Sequence, residues 1–189
     1  MMTPGIKSTK MFHPRKFAMI LAMASMTMLF IALSSAVIVR RGQGNWVAFH
    51  LPPIFWVNTL IILLSSLTMW QAVKAFKNYN QTLYRLYLIS TLILGTVFLI
   101  GQYIGWQHLD SGGIHLRGNP SGSFLYVISG LHAAHILGGV IMLLVAVIRA
   151  FFIQFNPNRI ASVQIMAMYW HFVDILWIYL LIFFQINLS

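Results

Sequence analysis

Five uncharged stretches, each long enough to cross a bilayer as a helix, limit this chain more than any other feature. They lie near Phe17–Val39, Leu51–Val73, Leu86–Trp106, Ser123–Ile148 and Ile160–Leu188, the last interrupted only by Asp174. A hydrocarbon core is spanned by about 20 apolar helical residues. An unpaired backbone amide in lipid costs several kcal/mol, which leaves the helix as the form such runs take. The expected fold is therefore all-α: a basic segment, 1–16, followed by a single five-helix transmembrane domain, 17–189. Composition agrees, since 59% of residues are hydrophobic, 7% are charged, and the acids are Asp110 and Asp174 alone. A soluble domain carries roughly a quarter of its residues charged.

The net charge of +10 raises nucleic acid as a partner. The basic residues instead fall between the apolar runs, where helices leave a membrane, so no nucleic-acid surface is expected. Lys7, Lys10, Arg15, Lys16, Lys74, Lys77, Arg85, Arg149 and Arg159 fall on one side, and Arg40, Arg41 and Arg117 on the other. The positive-inside rule then places the N-terminus in the cytoplasm and the C-terminus in the periplasm. The basic start followed by an apolar run resembles a signal peptide, with Ser34-Ser35-Ala36 as small residues. The run is about twice the usual apolar length of such peptides, and it reads as an uncleaved first span. There are no cysteines, which excludes disulfides, thiolate-bound zinc, iron–sulfur clusters and covalent haem attachment through Cys.

Polar groups inside a membrane are costly and ask for an explanation. The fourth span carries His132 and His135 one turn apart, with Ala133, Ala134, Gly138 and Gly139 offering small surfaces for a neighbouring helix. The fifth carries His171 and Asp174, also one turn apart. The economical expectation is that spans four and five meet through these faces, with Asp174 bonded to an imidazole. Two alternatives stay open. Three histidines and a carboxylate are ligand types for zinc or non-haem iron, which would make a free-standing membrane metalloprotein. A small transporter is the other, although a proton wire usually strings several acids together and this chain has no Glu. Asn58-Thr59 and Ser65-Ser66 in span two are expected to bond to backbone or to neighbouring helices. His50, His108, Asp110 and His115 fall in or beside the longer connections, where solvation is the default.

At this point the sequence resembles a known family. Tyr169-Trp170-His171-Phe172-Val173-Asp174 followed by Trp177 is similar to the last-helix signature of subunit III of haem-copper oxidases. Gly130-Leu131-His132 with His135 and Gly138 resembles the preceding signature, and Pro52 with Asn58-Thr59, Ser65-Ser66 and Thr68 resembles the motif of span two. The form resembled is the short, five-helix bacterial one, and the likeness covers nearly the whole chain after Phe17.

The resemblance implies a non-catalytic subunit of an aerobic terminal oxidase in the bacterial cytoplasmic membrane. No catalytic, cofactor-binding or metal-binding residue is expected in this chain. Haem and copper would belong to subunit I, the direct partner, with subunit II, accessory subunits and a respiratory supercomplex as further neighbours. Membrane lipids would be bound, and the subunit would support proton uptake and the stability of the complex. Longer relatives carry two additional N-terminal helices, so the chain reads as starting at the third, with part of the lipid cleft left to other helices. Three departures concern acids: Ser25-Met26, Gly105 before Trp106, and Gln164 stand where the family often has Glu. Roles tied to those acids are not carried over.

Overall fold

The computed structural model describes residues 14–153 and 156–188; Lys7, Lys10 and His13 lie outside the described residues. The described chain forms α1 (Pro14–Arg41), α2 (Ile54–Lys77), α3 (Gln81–Ser111), α4 (Pro120–Phe152), a single 3₁₀ turn at Pro157–Arg159, and α5 (Ile160–Leu188). All five α-helices are long and apolar enough to cross a membrane. At 1.5 Å per residue, even the 24-residue α2 is about 36 Å long, more than a hydrocarbon core requires.

α5 coincides with its expected span, the other four helices are longer than theirs, and local chemistry sets where they stop. Span two was expected from Leu51, but α2 starts at Ile54, because a following proline disfavours the helical conformation at Leu51 and Pro52; Pro53 takes the N-cap place. The connection expected over Gln107–Gly122 shortens, because α3 runs on to Ser111 and α4 begins at Pro120. Asn119 caps α4 by accepting from the Ser121 amide at 3.0 Å, and Pro120 stands in the first turn, where its missing N–H costs nothing. At the other end, Asn80 caps α3 by accepting from the Leu83 amide at 3.1 Å. The α2–α3 turn is so tight that Tyr79 adopts φ 58°, a left-handed conformation rare outside glycine.

Packing follows chain order from α2 to α5 but not for α1. α2 and α3 form a closely packed antiparallel pair, α4 lies against α3, and α5 sits among α1, α2 and α4. α1 leans on α4 and α5. In the most apolar window of each helix, 56% of α5 is buried inside the bundle against 11% of α1. α5 is thus the axis of the fold and α1 its outermost rod.

One side chain locks the centre. Trp170 of α5 is fully buried, and its indole lies between Gly95 of α3 and Gly139 of α4. A Cβ at Gly95 would stand 2.7 Å from the ring, and one at Gly139 would stand 2.9 Å from it. The indole N–H donates to Ser65 Oγ of α2 at 2.9 Å, so four helices meet on one residue.

The connections at the Arg41 end are stitched together. The Phe49 amide donates to the Leu188 carbonyl at 2.8 Å, and Trp46 Nε1 donates to the Asn187 carbonyl at 3.1 Å. Asn119 donates to the Asn45 carbonyl at 3.0 Å and accepts from the Val47 amide at 3.4 Å. This plate holds the α1–α2 connection across the ends of α4 and α5.

Candidate functional site

The four polar residues of the last two helices do not gather at one point. His132 is fully buried in an aromatic box, stacked on Trp177 with centroids 5.2 Å apart and met edge-on by Phe30 and Phe98. Neither of its nitrogens has a hydrogen-bond partner among the described residues. His135 uses Nδ1 on the Leu131 carbonyl of its own helix at 2.7 Å. His171 turns to α2 instead, with Nδ1 2.6 Å from Ser66 Oγ. Asp174 is 2% exposed and close to Ser66, yet neither carboxyl oxygen has a hydrogen-bond partner among the described residues.

The expected Asp174–imidazole bond is therefore absent, and its geometric reason is plain. His171 and Asp174 share one face of α5, but that face looks to α2, while His132 and His135 belong to α4. The α4–α5 contact is made by other atoms: the Tyr169 hydroxyl donates to the His135 carbonyl at 2.9 Å, and Trp170 packs on Gly139. Among the described residues no three His, Asp or Glu side chains come close enough together to hold a metal ion. Of the signature glycines, Gly130 has nothing near its Cβ position and Gly138 meets only the Tyr169 hydroxyl, at 3.9 Å.

Three of the polar ties that join helices are indole to hydroxyl. Trp177 Nε1 donates to Thr59 Oγ1 at 3.1 Å and Trp106 Nε1 to Ser129 Oγ at 3.0 Å, beside the Trp170–Ser65 pair. Thr68 and Thr91 hydroxyls lie 2.9 Å apart between α2 and α3, and Asn58 Nδ2 reaches Gln102 Oε1 at 3.5 Å. The Tyr179 hydroxyl donates to Ser34 Oγ of α1 at 2.9 Å. The sequence pattern singled out neither Gln102 nor Ser129. The available signal was the number of Ser and Thr within the spans together with three tryptophans at depth.

A second feature lies at the Pro14 end of the bundle. A cavity of about 600 Å³ opens between the start of α3, the end of α4 and the start of α5. Arg15, Arg85, Arg149 and Arg159 line it, and Ile141, Met142, Val145 and Met166 supply apolar wall. Arg85 is held in place, since its Nε donates to the Ala150 carbonyl at 2.8 Å and its guanidinium lies over the Phe151 ring at 5.0 Å. Neither acid of the chain lines the cavity, which leaves the four cations without a carboxylate among its walls. An apolar slot between α1 and α5, also lined by Arg15, Met142 and Met166, adjoins it. These arginines were read in the sequence only as topology signals.

At the Arg41 end, His115 Nδ1 and Asp110 Oδ1 are 2.6 Å apart, and both side chains are more than half exposed. Such a pair orders a loop and adds little stability.

These features define a multi-pass helical membrane protein. The chain belongs to the cytochrome c oxidase subunit III family, the third subunits of haem-copper oxidases: the family profile matches residues 5–187. A cytochrome c oxidase subunit 3 of Corynebacterium diphtheriae is 34% identical over 75% of this chain and 70% of its own length. One from Synechocystis sp. is 28% identical over 95% of this chain and 79% of its own. One from Papio hamadryas is 33% identical over 67% of this chain and 47% of its own.

Proposed function

We propose that the chain is a non-catalytic subunit that packs directly on subunit I of an aerobic terminal oxidase and holds phospholipid against it. Haem and copper belong to subunit I in this reading, and subunit II, accessory subunits and a respiratory supercomplex are its wider surroundings. The membrane is the bacterial cytoplasmic membrane, with the Pro14 end in the cytoplasm. The support for that orientation is the excess of Lys and Arg at that end. His132, His135, His171 and Asp174 serve as structural polar residues, and the signature residues Asn58, Thr59, Gly130, Gly138, Tyr169, Trp170 and Trp177 as packing and helix-joining positions. The domain reading is one five-helix unit over 17–189, preceded by a basic segment.

The observation that carries the lipid role is the arginine-lined cavity with its adjoining apolar slot. Cations at a helix-end interface beside an apolar channel match an anionic headgroup and an acyl chain. A lipid held there at the cytoplasmic end would stabilise the complex where protons enter. The test is the phospholipid content of the purified oxidase carrying Arg149→Ala with Arg159→Ala. Fewer bound phospholipids and a shorter working lifetime during turnover are expected; unchanged lipid and lifetime would refute the role. Haem or stoichiometric copper in the purified lone chain would overturn the non-catalytic reading.

A further inference from the structure

On α5, the axis of the bundle, the membrane-facing side narrows to one stripe. Ile175, Ile182 and Ile186 are 66%, 52% and 65% exposed, Tyr179 between them is partly exposed, and the other positions from 173 to 188 are buried or partly buried in a helix that packs on α1, α2 and α4. Two hydrogen bonds mark the edges of the stripe. One turn before Ile175, His171 is bound to Ser66 of α2; one turn after it, Tyr179 is bound to Ser34 of α1. The stripe is thus the floor of a groove whose walls are α1 and α2.

The floor is not uniformly apolar. His171 lies eleven residues into α5, about 16 Å from its start, well within the hydrocarbon depth of a 29-residue helix. Its side chain is only half-buried, and only Nδ1 is bonded among the described residues. Whether Nδ1 donates to Ser66 or accepts from it, Nε2 remains a second hydrogen-bonding atom at that depth. Hydrocarbon chains cannot satisfy it. A helix carrying a polar side chain can, and interhelical hydrogen bonds of this kind fasten membrane helices. Exposed residues at 175 and 182 recur at the seven-residue interval of a helix-on-helix seam.

We infer that the α1–α2 groove floored by His171, Ile175, Ile182 and Ile186 receives a transmembrane helix of another oxidase subunit, which presents a hydrogen-bonding side chain to His171. The inference rests on the membership of an oxidase complex proposed above. The incoming helix brings Ser, Thr, Asn, Gln or Tyr at the depth of His171 and small or branched apolar residues one turn on either side.

The test uses the intact oxidase. A benzophenone amino acid is introduced at Ile175 or at Ile182, the complex is irradiated in its membrane, and adducts are mapped by peptide mass spectrometry. Adducts on a transmembrane helix of another oxidase subunit, with a polar residue within one turn, are the expected result. Adducts confined to lipid, or to a second copy of this chain, overturn the inference and leave the oxidase membership standing. No other oxidase subunit in the purified material overturns both. His171→Phe is expected to lower retention of the subunit on detergent washing several-fold, and His171→Gln, which keeps hydrogen-bonding atoms, to recover most of it. Equal retention of the Phe and Gln variants also overturns the inference.

Discussion

Introducing a methyl group at Gly95 tests the packing argument at its tightest point. A Cβ there would stand 2.7 Å from Cη2 and 2.9 Å from Cζ2 of Trp170. The ring has no retreat, because Gly139 closes its other side and the indole N–H is tied to Ser65. Overpacking of this kind costs about 1–3 kcal/mol, and the helix-propensity gain of Gly→Ala, up to about 1 kcal/mol, offsets part of it. Gly95→Ala alone is therefore a poor readout, and a double-mutant cycle is a good one. Trp170→Phe removes both atoms that the new methyl would strike, while the propensity term cancels within the cycle. Trp170→Phe by itself should cost about 1–3 kcal/mol, since it leaves the buried Ser65 hydroxyl without its indole donor. The double variant should then be more stable than the two single effects predict, with a coupling of about 1–2 kcal/mol. Reversible unfolding of the purified chain in mixed micelles measures all four corners. A coupling within roughly 0.5 kcal/mol of zero would refute the picture of Trp170 clamped between two glycines.

Asn119→Ala removes the cap of α4 and both ties to the α1–α2 connection, and should cost about 1–2 kcal/mol, with faster amide exchange at Val47 and Ser121; unchanged exchange at both would refute the stitched plate. Tyr169→Phe deletes the hydroxyl bond to the His135 carbonyl and should cost about 0.6–1.5 kcal/mol in the same unfolding assay. Asp110→Asn, at an exposed pair, should change stability by less than roughly 1 kcal/mol; a larger loss would mean that the loop pair has a structural role.

The number of helices and their order were legible because the apolar runs are long and the polar connections short. Helix ends were less so, since hydropathy marks where lipid ends and not where the backbone stops being helical. Gln107–Ser111 is polar enough to read as loop, yet it continues α3 until Gly112 and Gly113 end the helix, Gly113 at φ 83°. Within the site, residue types were legible and partners were not. Spacing places His171 and Asp174 on one face of α5 but does not say which neighbour that face meets. The rotation of α5 is set by the Trp170 and Trp177 bonds to α2, and these depend on Gly95 and Gly139 leaving room for the indole. The arginine cavity is a further case, built from residues 15, 85, 149 and 159, which no local pattern connects.

The unbonded state of Asp174 turns the usual expectation for a buried acid around. Had an imidazole been its partner, removing the carboxyl would have stranded that partner at about 1–3 kcal/mol. Here both oxygens lack partners among the described residues, and the side chain is buried at membrane depth. Desolvation of the carboxyl is then a cost that only the nearby Ser66 hydroxyl offsets, and an apolar side chain of similar volume removes that cost. Asp174→Leu is accordingly expected to leave the unfolding free energy of the purified bundle unchanged or to raise it by about 1 kcal/mol. The neighbouring Ser66 keeps its bond to His171 in that variant, so no second group is orphaned. A loss of more than roughly 2 kcal/mol would mean that the carboxyl has a partner this geometry does not contain. Retention of the residue at such a cost would then be a matter of stability, and no longer of what Asp174 does in the assembled oxidase.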